Sequence, residues 1–264
     1  MPLYDVWLVK VFVFVVGAIV GSFLNVVIFR VPREISIWYR PPSSCPKCQT
    51  PIRWYDNLPV VSWIVLRARC RSCRAPISAR YPLVELASGT LTLLAFMRWG
   101  FSLTGVEVVI FTWVSLALGL IDLDFQILPN RLTYPSIVFG LGCSWLGSFT
   151  WLGSYTWWLD SLIGALVGAL LPTLVIVIYR LWRGIDGMGW GDVKYLAAIG
   201  SVVGLRGCVG VLVVGATLGA VVGLGLIASG KGSGKTALPF GTFLALAVIL
   251  WLYLPASWLA WSPL

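Results

Sequence analysis

Apolar residues come along this chain in eight runs, at about residues 6–29, 83–97, 106–121, 132–146, 161–179, 195–205, 209–228 and 239–254. Most are near-continuous rather than two-faced, and several approach the roughly 20 apolar residues that a helix needs to cross hydrocarbon. The pattern therefore predicts an all-α polytopic membrane protein with about eight transmembrane helices. The run at 195–205 is short for a full crossing and is expected to be tilted, broken or re-entrant. A secretory signal followed by a soluble domain does not fit, because the apolar runs recur to the C-terminus. One sizeable polar segment interrupts the series, at 30–82. The expected organisation is a first transmembrane helix over 1–29, a small cytosolic loop domain over 30–82 and a membrane core over 83–264.

Composition agrees with that reading. Of 264 residues 59% are hydrophobic and only 11% are charged, against about 25% charged in a typical soluble domain. The net charge of +9 is explained by topology rather than by nucleic acid. Placing the N-terminus outside puts sixteen of the nineteen Lys and Arg on one face, leaving Lys10, Arg98 and Arg206 on the other. Basic loops are retained in the cytosol, so the basic face is cytosolic and both termini are outside. Trp151, Trp157 and Trp158 suit an aromatic belt on the outer side. Gly164, Gly168, Gly215, Gly219 and Gly223 recur at spacings that let helices approach closely. No internal repeat is found.

The polar segment holds Cys45 and Cys48, then Cys70 and Cys73. Two CxxC turns at this separation can offer four thiolates to one tetrahedral zinc ion. Two disulfides are the alternative, disfavoured by the reducing cytosol. Four Cys ligands leave no open position, so such a zinc is structural, and it would staple a loop too small to hold itself by burial. Cys143 and Cys208 fall in or beside apolar runs and read as packed thiols.

Ionisable side chains at membrane depth are functional candidates. Asp122 ends the third run, with Asp124 just beyond it. Asp192 precedes the sixth within Gly189-Trp190-Gly191-Asp192-Val193-Lys194. The topology puts Asp122 and Asp192 at the same cytosolic depth. Hydrolysis without a nucleophilic side chain needs one group to activate water and another to donate a proton. Two close carboxylates supply both, because like charges a few ångström apart do not both ionise. Gly189 and Gly191 would leave room for a substrate backbone, with Lys194 supporting the same loop. Asp192 as an ordinary helix N-cap is the competing reading. The chain has no His, which excludes Ser–His and Cys–His machinery. Residues Gly230 to Thr236 imitate a phosphate-binding loop, but Ser229 stands where that pattern needs Gly.

The ordered set Gly21-Ser-Phe-Leu-Asn25-Val-Val-Ile-Phe-Arg30-Val-Pro32, the cysteine quartet, Trp54-Tyr-Asp56-Asn57-Leu-Pro59, Pro76-Ile-Ser-Ala-Arg80-Tyr-Pro82-Leu-Val-Glu85, Asp122 with Leu128-Pro129-Asn130, the Gly189–Lys194 motif and Pro239-Phe240-Gly241 resembles the type IV prepilin peptidases. The likeness runs nearly end to end. It implies a bifunctional leader peptidase and N-methyltransferase of the bacterial inner membrane, of the GxGD aspartyl type. By that resemblance Asp122 and Asp192 are the catalytic pair, and the substrate is a prepilin or pseudopilin. The basic leader would be cut after Gly on the cytosolic side, while the adjoining hydrophobic helix stays in the bilayer. The new N-terminal residue, commonly Phe, would be methylated from S-adenosylmethionine. No nucleotide fingerprint marks that half; Gly21, Ser22, Asn25, Arg30 and Arg80 are its candidates. Asp186 and Thr242 depart from the Glu and Pro usual in the family, and Asn130 stands where Asp is frequent. Peptidase activity alone, and a transporter moving protons or cations past the aspartates, are the alternative functions; few acids lie deeper, which suits a transport path poorly.

Overall fold

The computed structural model describes residues 6–37, 43–146, 157–184, 187–231 and 237–254. Trp151, Asp186, Lys235 and both chain ends lie outside them. Eight helices follow in order: α1 (Trp7–Arg30), α2 (Val61–Val65), α3 (Arg80–Trp99), α4 (Leu103–Phe125), α5 (Asn130–Trp145), α6 (Trp157–Arg183), α7 (Trp190–Ala228) and α8 (Phe240–Tyr253). Among the described residues there is no strand, only isolated bridges at Ser44–Pro51 and Arg69–Pro76. The expected all-helical architecture is present. Four helical segments are long and apolar enough to cross a membrane: Trp7–Arg33, Leu103–Phe125, Trp158–Arg183 and Trp190–Ala228. The 14-residue α8 is apolar but shorter. Large apolar side chains such as Phe12, Leu170 and Val213 point outward, as a lipid-facing helix surface requires.

The chain divides into two compact units, Met1–Val109 and Ile110–Leu264. In the first, α1 packs along α3. A Cβ on Gly17 would stand 2.6 Å from Thr92 Oγ1, and Ser88 Oγ donates to the Gly17 carbonyl at 2.7 Å. Small residues allow the close approach, and a buried hydroxyl then finds a backbone acceptor inside the pair. By packing, α3 thus belongs with α1 and the polar segment.

In the second unit, α7 packs on α5, α6 and α8. Although its helical residues run from 190 to 228, Gly204 adopts φ 71°, ψ −175°, open to glycine but strained for other residues. A straight helix would hold residues 196 and 208 about 18 Å apart. Cys208 Sγ instead lies 3.8 Å from the Leu196 carbonyl, so the chain folds back at Gly204 into two antiparallel segments, 190–203 and 205–228. The short 195–205 run is therefore one arm of a tight hairpin. Asp160, on α6, accepts the Leu205 backbone N–H at 3.2 Å, capping the returning arm. The small residues predicted for helix packing act so: Gly168 meets the Leu196 backbone, Gly215 meets Leu244 and Gly219 meets Phe243.

Candidate active site and metal centre

Helix α4 ends where Gln126 turns into the left-handed region (φ 53°), its N–H bonding back to the Asp122 carbonyl at 2.8 Å, a common helix stop. Pro129 then leads into α5. The turn leaves Asp122 on the last helical stretch, only 5% exposed. Its carboxylate accepts the Thr242 backbone N–H at 2.8 Å, with Thr242 Oγ1 at 3.4 Å and donating to the Gly119 carbonyl at 2.8 Å. Thr242 departs from the Pro expected at this position from the family resemblance. A proline there would have no N–H to give, so this departure supplies Asp122 with a donor.

Asp192 is the third residue of α7, 9% exposed. The N-cap is Gly189, not Asp192. The Asp192 carboxylate folds back beside it: a Cβ on Gly189 would stand 3.3 Å from Oδ2. An acid in the first turn also meets the positive end of the helix dipole. The N-cap reading was thus close in kind and misplaced by three positions.

Leu128 joins the two aspartates. Cβ atoms built on Gly191 and on Gly241 would stand 3.0 Å and 2.9 Å from its side chain, and the one on Gly241 3.1 Å from Asp122 Cγ. The end of α4 and the starts of α7 and α8 converge there, and Asp192 is within electrostatic reach of Asp122. Two carboxylates 70 positions apart in sequence thus lie at one end of this unit. Asp124 faces outward. Lys194 is engaged on α5: its Nζ donates to Asn130 Oδ1 at 2.7 Å and sits over the Tyr134 ring, tying α7 to α5. Deeper in the bundle Tyr195 and Ser115 are close neighbours, yet neither hydroxyl completes a hydrogen bond.

In the first unit, Cys45, Cys48, Cys70 and Cys73 bring their sulfurs within 4.8 Å of one another, and Cys45 and Cys73 are 3.7 Å apart. A tetrahedron of Zn–S bonds has sulfur edges of about 3.8 Å, so the four can hold one metal ion with little movement. None of the six cysteines forms a disulfide. The two turns are built alike. In each, the first Cys N–H bonds the carbonyl five residues on (Cys45 to Thr50 at 3.0 Å, Cys70 to Ala75 at 2.8 Å). In each, the residue after the second Cys is left-handed, Gln49 at φ 57° and Arg74 at φ 60°. Both read CxxCxxPI, at Cys45–Ile52 and Cys70–Ile77: a short internal repeat, where none was expected. The Thr50 hydroxyl and backbone beside Cys48 hold its thiol at about 6, favouring the thiolate a metal needs. Arg71 clamps Asp56 through a bidentate pair, 2.5 Å at its closest, and holds that carboxyl below its ordinary range.

A cavity of about 750 Å³ opens in the same unit, beside the cysteine turns. Ser22, Asn25 and Arg30 of the methyltransferase candidates line it. Gly21 instead serves packing, since a Cβ there would stand 2.7 Å from Glu85 Cα; Arg80 is not on the cavity wall. Glu85, the last residue of the Pro76–Glu85 motif, is on that wall and only 8% exposed.

Fold and site together define a helical membrane protein carrying a buried carboxylate pair and a separate four-thiol turn domain. Residues 15–99 match the bacterial peptidase A24 N-terminal domain, and residues 109–224 match the type IV leader peptidase family; the chain belongs to this family. It is 39% identical over 271 residues to a prepilin leader peptidase/N-methyltransferase of Aeromonas hydrophila, covering 93% of this chain and 91% of that protein. The protein of the same name from Stutzerimonas stutzeri is 36% identical, covering 90% and 89%. The one from Myxococcus xanthus is 40% identical, covering 89% and 69%. No solved structure matches the chain.

Proposed function

We propose that this protein is a membrane aspartyl endopeptidase that removes the basic leader of prepilin-like proteins on the cytosolic side, after Gly, and then N-methylates the new N-terminus. The observation that carries the peptidase half is the convergence on Leu128, which brings Asp122 and Asp192 to one end of the second unit. One carboxylate takes a proton from water as it attacks the scissile carbonyl while its partner gives a proton to the carbonyl oxygen; on collapse the partner recovers its proton from the gem-diol hydroxyl and the first carboxyl passes the proton it took from water to the leaving amine. The pair acts as a unit, so the roles are not divided between them. The Thr242 N–H holds Asp122 in place, and Gly189 and Gly191 leave the approach to Asp192 free of side chains, with Lys194 bracing the loop through Asn130.

Among the described residues the helical segments number eight once α7 is split at Gly204 and the short α2 set aside, which fits eight spans with both termini on one face; the basic loops make that face the outer one and turn the aspartates to the cytosol of a bacterial inner membrane. The substrate's hydrophobic helix lies in the bilayer against these spans while its leader reaches the pair from the cytosol. Segment 30–82 with α1 and α3 forms the methyl-transfer domain, and the second unit, from residue 110 on, supplies the peptidase core. Cys45, Cys48, Cys70 and Cys73 hold a structural Zn²⁺, which fixes the two turns and leaves no position for substrate. Ser22, Asn25 and Arg30 are the residues that would hold S-adenosylmethionine, the source of the methyl group.

The test is incubation of the purified protein with a prepilin-like peptide. A single cut after Gly, lost in Asp122→Asn and in Asp192→Asn with metal content unchanged, is the expected result. Ion flux through liposomes containing the protein, without peptide cleavage, would instead establish a transporter.

A further inference from the structure

Glu85 presents a buried charge that its structural contacts do not explain. Its Oε2 accepts the Val60 backbone N–H at 2.7 Å, and Ser22 is its other polar neighbour. Val60 is held at φ 61°, ψ −48°, a region that β-branched residues avoid and that is populated where surrounding structure enforces it, commonly at functional sites. A glutamine would accept that N–H equally well. A carboxylate carries in addition a charge whose burial is costly unless a cation meets it.

No basic side chain does so among the described residues, where the Arg71–Asp56 pair is the one salt bridge. That pair also neutralises Asp56, the other acid on the cavity wall. Glu85 therefore faces the cavity with no basic side chain paired to it. At about 750 Å³ the cavity is within the usual size range of small-molecule sites, and its wall sets Glu85 among apolar groups such as Val26, Phe29 and Trp63 and carries Arg30, Lys47 and Arg53 as well.

We propose that the cavity binds a ligand bearing a small positive centre and that Glu85 is its countercharge. The inference rests on the methyl-transfer half of the proposed function, which offers two such centres: the sulfonium of the methyl donor and the α-ammonium of the freshly cut chain. A sulfonium becomes a neutral thioether once its methyl group has left. A carboxylate at this place then distinguishes donor from spent product and lets the product go.

Calorimetric binding to the full-length purified protein tests this with two matched pairs of probes: S-adenosylmethionine against S-adenosylhomocysteine, and a peptide with a free N-terminal Phe against its N-acetylated form. Wild type should prefer the charged member of at least one pair by roughly tenfold or more, the usual scale for a charge-assisted contact. Glu85→Gln, which keeps an acceptor for Val60, should reduce that preference to near unity with metal content unchanged. The pair that responds identifies the ligand. Equal binding of both members of both pairs by wild type overturns the proposal without any variant, as does a preference that survives in Glu85→Gln. Donor binding and methylation without charge preference would sink this inference alone. Absence of both donor binding and methylation would sink the methyl-transfer reading with it.

Discussion

Gly241→Ala is the substitution that tests the architecture around Asp122 most finely. Gly241 opens the first turn of α8, and its added methyl would stand 3.1 Å from Asp122 Cγ and 2.9 and 3.0 Å from the two Leu128 Cδ atoms. The Leu128 tips can swing aside. The Asp122 carboxyl is tethered to the Thr242 N–H at 2.8 Å and has to shift. Overpacking of this kind costs about 1–3 kcal/mol, while replacing a helical Gly by Ala returns up to about 1 kcal/mol. The net loss of stability is therefore about 0–3 kcal/mol. Displacing a reacting group by even 1 Å costs on the order of a hundredfold in rate. Activity should thus fall far more than stability, about ten- to a hundredfold in kcat/KM for a prepilin-like peptide with a thermal midpoint only slightly lowered. Gly142→Ala on α5 is the control: its methyl would meet nothing within 4 Å, so cleavage should stay near the wild-type rate. A Gly241→Ala enzyme that cuts at the wild-type rate, or is less impaired than Gly142→Ala, would refute the reasoning.

Tyr195→Phe removes a fully buried hydroxyl that lacks a partner, so thermal stability should stay level or rise by up to about 1 kcal/mol; a clear fall in the melting midpoint would contradict the packing. Metal analysis should find about one zinc per chain, lost in Cys45→Ser or Cys70→Ser together with the order of segment 43–77, while a metal-free and fully ordered wild type would exclude the site. Because Arg71 depresses the Asp56 pKa, the stability this pair adds is full above the ordinary carboxylate range near about 4 and is lost as pH falls through the lower folded value. Asp56→Asn should therefore melt slightly below wild type at pH 7, a modest gap since the pair is partly exposed, and the two midpoints should converge in strong acid.

The helices were legible because the bilayer demands long apolar runs and little else, so hydropathy alone placed α1, α4 and α6. The hairpin within 190–228 was half legible: a run of eleven residues looked too short to cross, but only the positive φ of Gly204 reveals the reversal. Asp122 and Asp192 stood out as acids where acids are costly. Their meeting through Leu128 was not readable, since nothing in a single chain reports the lateral order of helices. Thr242 looked like a tolerated departure and is a hydrogen-bond donor. Glu85 stood in the sequence only as part of a family motif; its burial and its distant partner Val60 belong to tertiary structure.

The claim on which the account stands is that Asp122 and Asp192 act as one unit. Leader-cleavage rates for Asp122→Asn, Asp192→Asn and the double variant measure this directly. Each single change should cost about 10²–10⁴-fold or more, and the double variant should be no slower than the worse single, as expected for groups that share one task. Single variants that retain near-wild-type cleavage, or losses that multiply in the double variant, would show that the two carboxylates work apart.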